Sequence, residues 1–371
     1  MATDTHNVVP NIEADPNDDT DSAFEGSVGS ASYATTLASS VKNYVYAVRG
    51  NVLTDATSTV AVVISNPNGR RYNSFRAGEY ILPNDEDEQD RMDLVRISEA
   101  LDIILSDVIL LTHHIYKLLL DGDIYVSPIK ANPQRVLDIG TGTGIWAIDF
   151  ADAHPESHVV GNDLSPIQPS WVPTNCVFEI DDLEATWPYT RPFDFIHARE
   201  LAGSIGDFDK LFEQAYKNLV PGGYFEIQSI EPCFLSDDGT LDKAKHALEW
   251  MHLEYDASAK FGKPLEIVQT FPEKLKKSGF VDVKSTLKKL PIGTWPKDKK
   301  LKEVGRFQQL QVLQALEPYS LFLFTKILGW SVEETQVLLS GVRKDIKNRE
   351  IHLYSWVHFT YGRKPEDAAA S

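Results

Sequence analysis

The sequence predicts an α/β fold of Rossmann-like type: a mostly parallel sheet with helices on both faces. Three observations predict it. From Arg135 onward, short apolar runs that suit strands alternate with segments of helical period. The strand runs are apolar along their length, as expected where both faces of a sheet are buried. The first run ends in a glycine-rich turn that opens a helix.

Taken in order, residues 135–140 (RVLDIG) read as the first strand and 144–153 as a helix. Strands follow at 158–163 (HVVGND), 176–181 (CVFEID) and 193–198 (FDFIHA). A helix is expected over 207–219. The turn Pro221-Gly222-Gly223 then leads into a fifth strand, 224–230. Beyond it come a long helix (241–261), a shorter one (264–278) closed by Gly279, and a strand (281–289). A helical insertion (299–348) and a last strand (353–363) complete the chain. Residues 42–130 read as a mainly helical N-terminal cap. Within it, 88–120 carries Leu94, Leu101, Leu105, Val108, Ile115 and Leu118 at helical spacing. Residues 1–41 are rich in Asp, Asn, Ser, Thr and Ala, with no Lys or Arg before Lys42, and read as a disordered acidic tail. The main domain is expected over 131–365, with insertions at 232–262 and 299–348.

A net charge of -18 argues against a general nucleic-acid binder, because a polyanion is repelled by an acidic chain. The local basic candidates, Lys274, Lys276, Lys277 and the lysines of 297–302, read as solvated helix faces. Two cysteines, Cys176 and Cys233, give no disulfide framework and suit a reducing, intracellular compartment. The N-terminus has acids where a secretory signal needs a basic start. The greasiest stretch, 103–111, is interrupted by Asp107 and is too short to span a bilayer. The expectation is therefore a cytoplasmic protein with no membrane partner, the nucleus being the alternative. His113 and His114 are adjacent and point about a quarter-turn apart on a helix, so no metal site is expected there.

The chemistry is concentrated in Asp138-Ile139-Gly140-Thr141-Gly142-Thr143-Gly144. Glycines let this turn approach a ligand closely, and the free N–H groups of the helix start favour polar or negative groups. Asp163 ends the next strand, nineteen residues after Gly144, where a carboxylate can accept both hydroxyls of a ribose. A dinucleotide fingerprint is G-x-G-x-x-G. Here Gly140, Gly142 and Gly144 give G-x-G-x-G, preceded by Asp138. That carboxylate would repel a diphosphate but suits the ammonium and sulfonium of S-adenosyl-L-methionine. A dinucleotide, or a turn with no ligand, are the competing readings. Leu164 follows Asp163 in the same crevice. Asp181 and Asp182 close the third strand, where a carboxylate can receive an adenine amino group.

These residues resemble the fungal LaeA-like methyltransferases of secondary metabolism. The likeness is carried by Arg70-Arg71-Tyr72 with Tyr80, by residues 135–152 (RVLDIGTGTGIWAIDFAD) and by 161–173 (GNDLSPIQPSWVP). FDFIHAR (193–199), Asp237-Asp238-Gly239-Thr240, Trp295-Pro296 and YGRKP (361–365) extend it. The resemblance implies a class I methyltransferase fold with a seven-stranded sheet and S-adenosyl-L-methionine as methyl donor. It also implies a cap that covers the cofactor, with Tyr72 and Tyr80 as contacts. It leaves the substrate open between a small-molecule acceptor and, for a nuclear regulator, a protein partner. A non-catalytic or pericyclase-like protein on the same fold is a further alternative. The acidic N-terminus offers no basic import stretch, which favours the tailoring enzyme.

Methyl transfer from a sulfonium needs alignment above all, worth about 7–11 kcal/mol of barrier. His197 and Arg199 after the fourth strand, and Gln228 and Glu231 at the end of the fifth, are the catalytic candidates. His197 is the best base by type. Arg199 would hold an acidic substrate or pair with Glu200 or Asp207. Trp250, His252 and Tyr255 are candidates for the acceptor wall. Two stretches, 52–65 and 95–111, interrupt the family pattern, and one or both of them read as translated introns. That reading predicts a mature message lacking at least one. A message that keeps both, together with active protein, contradicts it.

Overall fold

The computed structural model describes residues 9–16 and 111–367. Tyr72, Tyr80, the stretch 52–65 and all of 95–111 except Leu111 lie outside the described residues, as does most of the expected cap.

Helix α1 (Leu111–Leu119) is followed by β1 (Arg135–Ile139), α2 (Ile145–Ala153), β2 (His158–Asp163), β3 (Cys176–Ile180) and β4 (Phe193–Arg199). Then come α3 (Phe208–Lys217), β5 (Leu219–Ile230), α4 (Lys245–Phe261), α5 (Phe271–Lys277) and β6 (Val281–Ile292). The chain closes with α6 (Lys299–Phe322), a π turn (Leu323–Ile327), α7 (Val332–Lys347) and β7 (Leu353–Arg363). The seven strands form one sheet in the order β3-β2-β1-β4-β5-β7-β6. The first five run parallel, and β7 runs antiparallel to both of its neighbours. The order reverses at β1, between β2 and β4. Ligands of open α/β sheets sit at such a switch point, outside the carboxyl ends of the strands.

The period-two alternation of strand side chains explains why these runs are apolar throughout. Val136 and Phe195 pack with Trp146 and Phe150 of α2 on one face. Leu137 and Ile196 pack with Phe208, Phe212 and Phe271 on the other. Beyond the sheet, α4, α6 and α7 build a separate core around Trp250, Leu316, Phe324 and Leu339, joined to the sheet by Ile292 and Leu353.

The structure corrects several sequence-based boundaries. Strand β3 stops at Ile180, one residue before Asp181, and as an edge strand it leaves Val177 on one face and Ile180 on the other exposed. Strand β5 starts at Leu219. Pro221-Gly222-Gly223 is a bulge within it: Leu219 pairs with Phe193, and the ladder resumes at Tyr224 with Phe195. The expected helix 264–278 begins only at Phe271, since Pro272 has no N–H to bond back toward residue 268. The expected helix 241–261 is broken at Ala244. There the Asp345 carboxylate of α7 accepts the N–H groups of His246 (2.7 Å) and Ala247 (3.1 Å) and so caps α4 from outside. Residues 9–16 of the acidic stretch lie against the main domain. Ala14 bridges to Pro296, Ile12 N–H donates to Asp237, and Asp15 pairs with Lys302 at 2.6 Å.

Asp345→Ala leaves two first-turn amides without their acceptor. It should destabilise the protein by about 1–2 kcal/mol in urea unfolding, as lost helix caps do. An unchanged midpoint contradicts the cap.

Candidate functional site

A cavity of about 290 Å³ lies at the carboxyl edge of β1, β2 and β4, roofed by α4 and α6. Its floor is the glycine turn. Gly140, Gly142 and Gly144 all have positive φ (65°, 59° and 87°), which L side chains seldom adopt. A Cβ on Gly140 would meet Leu201 at 2.4 Å and one on Gly144 would meet Phe178 at 2.2 Å, whereas Gly142 has nothing within 4 Å. Two of the glycines therefore serve packing, and the middle one borders open space. Gly142 N–H donates to Asp163 Oδ2 at 2.9 Å, and Ser165 N–H to Oδ1 at 2.9 Å. These bonds aim the Asp163 carboxylate beside the turn. Burial pushes its pKa up to about 6, against the pull of those two amides.

Asp138 is buried, and both of its oxygens are engaged. Oδ2 accepts from Thr141 Oγ1 (2.6 Å) and Oδ1 meets His197 Nδ1 (2.7 Å). A carboxylate only accepts, so His197 carries its proton on Nδ1. Burial, which favours the neutral ring, lowers the His197 pKa against the pull of Asp138. It stacks on Trp146 at 3.7 Å and 2°, lines the cavity, and its Nε2 has no hydrogen-bond partner. Asp138, expected in contact with the cofactor's ammonium, thus has a first task in orienting His197 and Thr141.

The two acids after β3 separate. Asp182 lines the cavity with its Oδ1 accepting Glu184 N–H at 2.8 Å. Asp181 lies outside the lining, and its Oδ1 accepts the N–H of Asp182 at 2.8 Å, so it props the turn. Leu164 and Leu183 give this end its apolar surface.

Residues 111–285 match the methyltransferase domain family. The chain is 37% identical over 327 residues to methyltransferase pytC of Aspergillus terreus, covering 88% of this chain and 90% of that one. It is 34% identical over 308 residues to protein-methionine methyltransferase laeA of Emericella nidulans, covering 80% and 76%. The solved phosphoethanolamine N-methyltransferase 2 of Haemonchus contortus is also similar, at 20% identity and a TM-score of 0.38 over 68% of this chain and 53% of that one. The chain belongs to the fungal LaeA-like methyltransferases.

As a member, it is an S-adenosylmethionine-dependent methyltransferase. The cavity of this LaeA-like enzyme fits that cofactor by its charges. Among the described residues, its lining includes the acids Asp138, Asp163, Asp182, Glu184 and Glu200 and one arginine, Arg199. Such a surface accepts a sulfonium and an ammonium and repels a pyrophosphate, which disposes of the dinucleotide alternative. Asp163 and Asp182 would hold the ribose and base, above the open Gly142. Among the described residues, no group of His, Cys, Asp and Glu is placed to hold a metal ion.

Two catalytic expectations need correction. Arg199 lines the cavity, but most of its donors are engaged within the protein. Its Nε and Nη2 donate to Gln228 Oε1 (2.9 and 2.7 Å), and Nη1 donates to His113 Nδ1 (3.0 Å). The guanidinium lies 4.4 Å over the Tyr116 ring. Because arginine only donates, His113 must accept at Nδ1 and donate from Nε2 to Asp149 (3.0 Å). His113 is thereby the neutral tautomer, and burial lowers its pKa to about 4. Glu231 turns away from the cavity to His358 (2.7 Å) and Gln269, while Ile230, Pro232 and Cys233 line the cavity instead. Burial alone would raise its pKa, but those hydrogen bonds hold it low. Of the expected acceptor wall, Trp250 faces the cavity, His252 is exposed, and the Tyr255 hydroxyl donates to the Pro232 carbonyl.

Sequence reasoning missed Glu254 of α4 and Gln308 of α6, both buried and both lining the cavity. The signal was present: an acid and an amide on apolar helix faces, three or four residues from buried neighbours.

Arg199→Lys keeps the charge but loses the planar fork that reaches Gln228, His113 and Tyr116 together. It should cost about 2–3 kcal/mol in urea unfolding, the scale of charged hydrogen bonds left unmade in a partly buried site. Unchanged stability with weakened binding of acidic ligands would contradict the structural role.

Proposed function

We propose that this enzyme transfers the methyl group of S-adenosylmethionine to a small molecule of fungal secondary metabolism, acting in the cytoplasm. The observation that carries the reading is the continuity of one cavity from the acid-lined glycine turn to an apolar end. That end is walled by Trp250, Met251, Val312 and Ala315. A cavity of about 290 Å³ suits a small acceptor. Likeness to methyltransferase pytC supports the same reading. No helix among the described residues is long and apolar enough to cross a membrane, and the overall acidity disfavours nucleic acid.

Bound S-adenosylmethionine supplies an activated methyl group. The chain's own work is then positioning and proton handling. Asp163 and Asp182 hold the nucleoside, while α4 and α6 exclude water. His197 Nε2 is the proton acceptor for a hydroxyl or amine drawn against it. Asp138 holds the ring in the tautomer that keeps Nε2 free, as the orienting acid of a catalytic dyad does.

The competing reading, a regulator that methylates protein, is favoured by the likeness to protein-methionine methyltransferase laeA. Incubation with a fungal extract and a labelled methyl donor separates them. Label in the organic-soluble fraction supports the proposal, and label confined to protein overturns it.

Calorimetry with S-adenosylhomocysteine tests the cofactor end. Asp163→Ala should weaken binding about a hundredfold, the worth of two hydrogen bonds to a charged acceptor. The Asp163 pKa of about 6 lies above the usual carboxylate value, so its acceptor form is lost as pH falls through that value. Wild-type affinity should then fall by up to about tenfold per pH unit below 6, and the variant should lack that slope. Equal affinity of the two proteins at pH 7 contradicts the assignment.

A further inference from the structure

We infer that Glu254 and Gln308 are the polar recognition pair of the acceptor end, and that this end takes an uncharged, mainly apolar molecule bearing O–H or N–H donors. The inference rests on the reading above that the acceptor occupies the cavity beneath α4 and α6.

The argument is a count of hydrogens. Ser320 Oγ, fully buried on α6, has three close partners: Trp250 Nε1 at 2.7 Å, the Leu316 carbonyl at 2.6 Å and Glu254 Oε1 at 2.9 Å. The indole N–H can only donate, and the carbonyl can only accept. Ser320 has one hydroxyl hydrogen for two acceptors, the Leu316 carbonyl and Glu254 Oε1, so with Glu254 ionised one of the two contacts is left short of a hydrogen. A proton on Glu254 Oε1 satisfies all three contacts of Ser320 at once and leaves the carbonyl oxygen, Oε2, over.

Burial acts in the same direction. Glu254 is 2% exposed, and burial pushes its pKa up to about 8, with Ser320 and Trp250 opposing the rise. Oε2 is buried with no hydrogen-bond partner, and so is Oε1 of Gln308, which is 3% exposed. Both residues line the same cavity as Trp250, Met251, Val312 and Ala315. Two unsatisfied oxygens among apolar walls are costly unless a ligand brings donors to them. A carboxylate ligand would offer only further acceptors. An ammonium would find a neutral acid where it needs a counter-charge.

The test uses 2-naphthol, its methyl ether 2-methoxynaphthalene, and 2-naphthylmethylamine, titrated into full-length enzyme saturated with S-adenosylhomocysteine at pH 7. The expected order is 2-naphthol tightest, by about tenfold over each of the other two, which is the worth of a hydrogen bond to a buried acceptor. Glu254→Gln presents an amide carbonyl in place of Oε2 and should retain the preference for naphthol over its ether. Glu254→Leu should abolish that preference while still binding 2-methoxynaphthalene and S-adenosylhomocysteine. Infrared difference spectra of wild type minus Glu254→Gln should show a protonated carboxyl band at pH 7. Equal affinity for naphthol and its ether, a tighter ammonium probe, no probe binding by protein that binds S-adenosylhomocysteine, or an ionised Glu254 would each overturn the inference. Failure to bind S-adenosylhomocysteine would instead count against the functional reading beneath it.

Discussion

The site depends first on the two hydrogen bonds of Asp138. This carboxylate stands in β1, at the point where strand order reverses, and binds Thr141 of the glycine turn and His197 of β4 at once. One buried carboxylate therefore fixes both the glycine turn and a ring that lines the same cavity. A buried carboxylate is costly unless it is paired and hydrogen-bonded. The pairing here also selects the histidine tautomer. The flat stack of Trp146 fixes the plane of the His197 ring, and the bond to Asp138 fixes which edge carries Nδ1.

A second layer holds the first. Arg199 spends its donors on Gln228 and His113, and His113 passes the constraint to Asp149 of α2. Gln228 in turn donates to Glu226, whose carboxylate accepts from the Ser127 N–H and hydroxyl. The polar groups beneath the cavity form a connected chain rather than a set of independent surface charges. Networks of this kind define one arrangement because every partner removed leaves another group unsatisfied. The helical end of the cavity is built differently. It is a roof with its own apolar core, where Glu254 and Gln308 are polar exceptions. The sheet thus supplies the polar floor of the cavity, and the insertions between its later strands supply the apolar roof.

Much of the sheet was legible in the sequence, because a strand buried on both faces has to be apolar throughout. The bounds read for β2 and β7 coincide with the observed ones, and the glycine turn with its flanking acids was recognisable from spacing. What stayed hidden depends on long-range partners. Nothing near His246 in the sequence announces that Asp345, about a hundred residues on, ends its helix. Glu231 looked like a site acid from its position at a strand end, yet His358 of the neighbouring strand draws it away. Asp181 and Asp182 are chemically identical, and only the end of β3 decides which one faces inward. Glu254 could have been noticed as an acid in phase with Trp250 and Met251. Its partner Ser320 lies on another helix, beyond the reach of local pattern.

The most direct test of the account is the protonation of His197 at pH 7, read by nitrogen NMR on protein labelled at histidine, with His197→Gln used to assign the signal. A neutral ring protonated on Nδ1, with Nε2 bare and changing on addition of acceptor, is the predicted result. A ring protonated on Nε2, or on both nitrogens, would mean that Asp138 does not set the tautomer and that His197 cannot receive the acceptor's proton.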